Sequence, residues 1–200
     1  MRNANRALFL VGLLWSALAW ADAAMLTQVS GPVTVATKDG TRAAVAFLKL
    51  AAGDKLELGA QARVQLVYFG NGRQESWSGT GQVEVGGLEG RSAALKAETR
   101  QLPPLVVNQL AKTPAAGQQG RAGMVLVRSL ENPDAVDHLD KQYNELRAAT
   151  PAGDATPEIF LLSGLIQLKE TARAKELVAG LRDKPGYEAV VEHFSPLLAR

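Results

Sequence analysis

The chain of 200 residues contains no cysteine. That excludes disulfides, thiolate metal sites, a cysteine nucleophile and a lipid-modified N-terminal cysteine in any compartment. It also lacks an excess of charge. Lys plus Arg number 22 and Asp plus Glu 20, and two of the cations, Arg2 and Arg6, lie in the first six residues. From residue 22 onward twenty cations face twenty acids. Binding to nucleic acid or to an anionic membrane through bulk charge is therefore not expected. Histidine occurs twice, and tryptophan once beyond residue 21, at Trp77. There is no G-x-S-x-G elbow, no Walker A loop and no H-E-x-x-H. With 46% hydrophobic and 21% charged residues, the chain nonetheless has the composition of a globular protein.

Residues 1–21 carry the features of an export signal. Arg2 and Arg6 form a positive start, Ala7 to Leu18 an apolar stretch, and Ala19-Trp20-Ala21 a small-x-small cleavage site before Asp22. Ala21-Asp22-Ala23 offers a second cut. The apolar run falls short of the roughly 20 residues of a spanning helix, which sets cleavage above an uncleaved anchor. The mature chain is expected in the periplasm or secreted, without stable membrane insertion.

Two periodicities divide the remainder. Between residues 25 and 100 apolar residues alternate at Val33/Val35, Leu56/Leu58, Val64/Leu66/Tyr68 and Val83/Val85, the pattern of half-buried strands. Turn signals separate these runs. Asn71-Gly72 predicts a type I′ hairpin turn, with positive φ at both central residues. Residues 101–130 read as a connector: Leu105 to Ala111 forms one or two helical turns, 113–123 is rich in Ala, Gly, Pro and Gln, and Met124 to Arg128 is strand-like. From 131 to 200 the period becomes 3.6. Asn132-Pro133 and Thr156-Pro157 read as helix starts, and Thr171 as the cap of a third helix. Val136, Leu139, Tyr143 and Leu146 form one stripe, and Leu177, Val178 and Leu181 another. Ile159 to Leu168 is apolar nearly all round, which predicts a buried central helix. Tyr187, Val190, Val191 and Phe194 mark a fourth helix, bent or ended by Pro196. The expected fold class is α+β: a small antiparallel β sandwich or roll followed by an α-helical hairpin bundle.

The β half resembles the FecR domain of bacterial envelope proteins. The matching stretches are Gly31-Pro32-Val33-Thr34-Val35, Leu50-Ala51-Ala52-Gly53-Asp54-Lys55-Leu56 and Val64 through Gly72, within residues 26–85. Ser76-Trp77-Ser78-Gly79 departs from the family's usual continuation. The resemblance implies an extracytoplasmic ligand- or partner-binding module. The cytoplasmic segment and membrane helix of the FecR regulator are not recognised here, so sigma-factor signalling is not carried over. The α half is similar to a tetratricopeptide (TPR) helix pair, with Gly164, Ala174 and Pro185 near that family's small-residue and proline positions. The Gly164-to-Ala174 spacing is two residues shorter than usual, and a generic helical bundle is the alternative.

Few residues suggest chemistry. Asp134 and His138 stand at i, i+4, but a metal site needs a further ligand, so an acidic first helical turn is preferred. His193 reads as an ordinary boundary histidine. Tyr68, Arg73 and Trp77 form a candidate stacking platform for a sugar or peptide, against the commoner role of tryptophan as core. Phe160, Leu161, Leu165 and Leu168 form a candidate partner groove, unless the Tyr187–Leu198 helix closes it. No metal, cofactor or catalytic residue is expected. The expected function is non-catalytic binding or scaffolding in the envelope, with a protein partner and a glycan or peptide ligand. A glycan hydrolase using an unassigned carboxylate pair and an accessory of envelope signalling are the alternatives. Intact-mass measurement of the protein exported by its native host is expected to give a chain starting at Asp22. A membrane-held chain starting at Met1 would refute the export reading.

Overall fold

A computed structural model describes residues 22–117 and 133–199. The fold is mixed α+β, with two five-stranded antiparallel sheets followed by helices. The strands are β1 (Ala24–Ser30), β2 (Val33–Thr37), β3 (Gly40–Ala43), β4 (Lys49–Leu50), β5 (Lys55–Leu58), β6 (Arg63–Tyr68), β7 (Arg73–Ser78), β8 (Gly81–Val85), β9 (Gly90–Arg91) and β10 (Glu98–Gln101). The helices are α1 (Pro104–Lys112), α2 (Pro133–Ala148), α3 (Thr156–Gln167), α4 (Thr171–Leu181) and α5 (Glu188–Leu198). One sheet has the order β10-β7-β6-β1-β4 and the other β3-β2-β5-β8-β9. Leu26, Leu66, Tyr68 and Trp77 of the first sheet share an apolar cluster with Val33, Val35, Leu56 and Val83 of the second.

The alternating runs become β2, β5, β6 and β8. On β5, and on β2 from Val33 to Val35, every second residue is buried and the one between faces solvent, as period two requires. On β6 it is otherwise: Val64 through Tyr68 are all buried. The expectation of a solvent-facing side fails for this strand, because the helices cover the sheet's second face. Val67 and Met25 belong to the same apolar cluster as α1, α3 and α5. The turn before β7 also differs from expectation. Gly72 has φ 72°, but Asn71 is not in the left-handed region. Instead the Asn71 side chain accepts the Arg73 backbone N–H at 3.0 Å, a local bond that asparagine makes readily.

Helix α3 is the centre of the helical layer. Ile159, Phe160, Leu162 and Leu165 are each at most 1% exposed. Val106, Val107 and Leu110 of α1, Leu139 and Leu146 of α2, Val178 of α4 and Phe194 of α5 share their cluster. Close approach of α2 depends on Gly164, where a Cβ would stand 2.6 Å from Leu139 Cδ1. The helix starts depart in detail from the capping pattern. Ala155, not Thr156, precedes α3, Thr171 lies inside α4, and neither helix has a side-chain cap at its N-cap residue. Helix α5 continues past Pro196 to Leu198. The Met124 to Arg128 run and Asn132 lie outside the described residues, as does most of 113–123.

Phe47 couples the sheets to the helices. It is 1% exposed and carries φ 65°, a conformation rare for a bulky side chain. Its N–H donates to Leu26 O at 2.7 Å and its carbonyl accepts from Ala116 N at 2.9 Å. The ring stacks on His193 with centroids 3.9 Å apart and meets Phe194 edge-on at 5.7 Å. His193 is therefore a core residue at 4% exposure, not a boundary one. Burial pushes its pKa down from 6.5 to about 4, against an opposing hydrogen bond to the Pro114 backbone. The unfolded chain takes up this proton near pH 6.5 and the folded chain only near pH 4. The neutral ring's stabilisation is thus full above pH 6.5 and is lost as pH falls through that window. The loss amounts to about 3 kcal/mol. Urea midpoints measured across the window are expected to fall with pH, and His193→Phe to lose this component of the slope. An unchanged slope in the variant would refute the assignment to His193.

Candidate functional cleft

The second face of the first sheet changes character along its strands. Near β4 it is apolar and helix-covered. Toward the other end it is polar, and there the helices stand off to leave a cleft of about 540 Å³. Strand register organises its floor. Gln28 on β1 lies opposite Gln65 on β6, Gln65 opposite Ser76 on β7, and Ser76 opposite Glu98 on β10. These four polar residues form one row across four strands, spanning about 14 Å at the usual strand spacing. On one side of it lies the row Ser30, Arg63, Ser78, and on the other Gln74 opposite Arg100. Hydrogen bonds hold part of the floor in place. Thr27 Oγ1 donates to Gln65 Oε1 at 2.8 Å, and Gln65 Nε2 reaches Ser76 Oγ at 3.5 Å.

The roof is the turn from Pro151 to Asp154 between α2 and α3, with Gly186 from the turn between α4 and α5. Gly153 has φ 85°, which glycine adopts without steric cost and lets the turn fold over the sheet. Asp154 ties roof to floor. Its Oδ2 accepts from Arg100 Nη2 at 2.7 Å and from Gln74 Nε2 at 3.2 Å, while its Oδ1 accepts the Thr156 N–H at 2.9 Å. Gln74 Nε2 also donates to Thr156 Oγ1 at 3.0 Å, and Gln74 Oε1 accepts from Arg100 Nε at 2.9 Å. Behind the turn, Arg147 Nη1 donates to Asp154 O at 2.9 Å and pairs with Glu158 at 3.1 Å. The bonding capacity of Gln74 is thus directed into the structure. The side chains of Gln28, Arg63, Ser78 and Glu98 make no hydrogen bond or ion pair among the described residues and line the cleft. Arg100 Nη1, at the cleft wall, likewise has no hydrogen-bond partner among the described residues.

The candidate stacking platform lies on the opposite face. Tyr68, Arg73 and Trp77 do come together, but around the buried carboxylate of Glu75. Trp77 Nε1 donates to Glu75 Oε2 at 3.0 Å, Arg73 Nε to Oε1 at 2.6 Å, and the Gly90 N–H to Oε2 at 3.0 Å. Trp77 is 4% exposed and Tyr68 0%, so neither ring is open to a ligand. Burial also raises the Tyr68 pKa, with the Glu75 charge adding to the effect. The Gly86 backbone approaches the Tyr68 hydroxyl without hydrogen-bond geometry. Alternation already puts Glu75 and Trp77 on one face of β7 and Gln74, Ser76 and Ser78 on the other. The platform fails because that first face is the one turned to the other sheet.

The candidate partner groove is likewise filled. Phe160, Leu161 and Leu165 are buried, and Leu168 packs partly buried against the same cluster. Residues of α1 and α5, together with Phe47, share the cluster that encloses them. His138 is exposed, with Nε2 2.7 Å from Gln142 Nε2. Among the described residues no three His, Cys, Asp or Glu are grouped to hold a metal, and no helix is long and apolar enough to cross a membrane. Sequence reasoning missed Gln74, Arg100 and Asp154, which meet only through strand pairing and helix docking. Compared with protein families, with curated proteins and with solved structures, the chain matches none.

Asp154→Ala removes one side of the Arg100 pair together with the bonds to Gln74 and Thr156. It is expected to cost about 2 kcal/mol of stability, since Arg100 stays partly solvated. A double-mutant cycle with Arg100→Ala is expected to show coupling of about 1 kcal/mol. Additive effects in urea denaturation would refute the clamp.

Proposed function

We propose that this protein is exported to the periplasm and acts there without catalysis, as an envelope binding protein whose sheet-and-turn cleft takes a polar ligand. The observation that carries this reading is the row Gln28, Gln65, Ser76, Glu98 beneath the Asp154 turn. Amide, hydroxyl and charged groups with spare hydrogen-bonding capacity converge there, in a cavity of the size ordinary small-ligand sites have. In this reading the two sheets form a FecR-like sandwich and α2 to α5 a TPR-like bundle. The bundle's apolar residues serve the fold. Contact with an envelope protein partner then falls to its outer surfaces instead of the Phe160–Leu168 segment.

A hydrolase is the second reading, because Glu98 and Asp154 line the same cleft. Against it, both oxygens of Asp154 already accept structural hydrogen bonds, which leaves Glu98 without an evident carboxylate partner for acid–base work. The test is to titrate the full exported chain with purified peptidoglycan disaccharide-peptides, following heat by calorimetry and products by chromatography. Saturable binding without product, lost in a cleft-filling Ser76→Phe variant that retains its urea midpoint, is the expected result. Product formation that Glu98→Gln abolishes would replace the binding reading with the hydrolase.

A further inference from the structure

The chemistry of the cleft narrows its ligand, on the premise that the cleft is the binding site proposed above. Two pairs of opposite charge border it, and one is already satisfied: Arg100 and Asp154 neutralise each other at 2.7 Å. The uncommitted charges are Arg63 and Glu98, both exposed and without a partner among the described residues. Register sets them two strands and one row apart, because Arg63 lies opposite Ser78 while Glu98 lies opposite Ser76. Their Cα atoms are therefore separated by about 12 Å. Between them the floor presents the hydroxyls of Ser76 and Ser78 and the Gln65 amide. Trp77 borders the cleft but is only 4% exposed, its ring turned into the core and bonded to Glu75, so no open aromatic face is offered. A sugar ring therefore lacks the apolar platform against which its C–H face packs, whereas a main-chain amide finds donors and acceptors of its own kind.

We propose that the cleft binds a short zwitterionic peptide. Its α-carboxylate lies against Arg63, its α-ammonium against Glu98, and its peptide groups against Ser76, Ser78 and Gln65. A fully extended tripeptide spans about 10 Å, which suits the separation of the two charged side chains. The net charge of the free groups is zero, so the ligand is neutral overall but charged at both ends.

The test uses calorimetric titration of the full chain with four probes: trialanine, N-acetyl-trialanine, trialanine amide and an N-acetylglucosamine tetramer. Trialanine is expected to bind at millimolar concentration or below. Blocking either terminus is expected to weaken binding roughly fivefold, the factor that corresponds to about 1 kcal/mol for an exposed ion pair. Arg63→Gln and Glu98→Gln alter exposed side chains that hold no other group, so folding is expected to persist, as urea midpoints will verify. In Arg63→Gln, trialanine and its amide are expected to bind alike. In Glu98→Gln, trialanine and its acetylated form are expected to bind alike. Equal affinity for capped and uncapped peptides in the unmodified protein overturns the peptide assignment, as does discrimination that survives in both variants. Binding of the saccharide with none of the peptides overturns it too, while leaving the cleft as a polar binding site. If no probe binds and the disaccharide-peptides also fail, the peptide assignment and the binding reading fall together.

Discussion

The sheet β10-β7-β6-β1-β4 must be covered on both faces, and the remaining architecture answers that requirement. Its inner face closes against the second sheet through Leu26, Leu66, Tyr68 and Trp77. Its outer face carries Met25 and Val67, which no strand covers, so the helical layer has to dock there. Phe47 performs the docking, held in a left-handed conformation by backbone bonds to Leu26 and Ala116. The strain at that residue is offset by burial of its ring between β strands and α5, against His193 and Phe194.

The same face turns polar along its length, and that change creates the cleft. Where side chains are apolar, the helices close on the sheet and exclude water. Where they are Gln65, Gln74, Ser76 and Arg100, contact is made by directional bonds at one node, Asp154. Directional bonds fix a distance without filling the volume beside them, so space persists between the Pro151–Asp154 turn and the strands. The cleft and the clamp are thus two results of one polar surface meeting one turn.

Glu75 and Asp154 show how context assigns roles to similar groups. Both are buried carboxylates that pair with arginine. Glu75 is enclosed by Arg73, the Trp77 indole and the Gly90 backbone, where it secures β9 to β7. Asp154 sits at a boundary, with the cleft on one side and the first turn of α3 on the other. Only the second lies where a ligand's contacts would be felt by the joint between helices and sheet.

The principal local elements were legible in the order of residues. Alternation at Val33/Val35 and Leu56/Leu58 and the all-apolar run at Ile159–Leu168 depend on short-range periodicity, which the chain writes directly. The absence of cysteine also excludes disulfide and thiolate chemistry. The burial of both faces of β6, the closure of the Phe160 groove by α1 and α5, and the placement of Trp77 inside the core came from tertiary packing. It alone brought Gln74, Arg100 and Asp154 together, and set Arg63 and Glu98 on a shared floor. These depend on strand register and helix docking between residues 26 to 80 positions apart, and periodicity carries no information about pairing at that range. Asn71-Gly72 marks the boundary between the two: the turn was legible, but its geometry followed from the asparagine's own bond to Arg73.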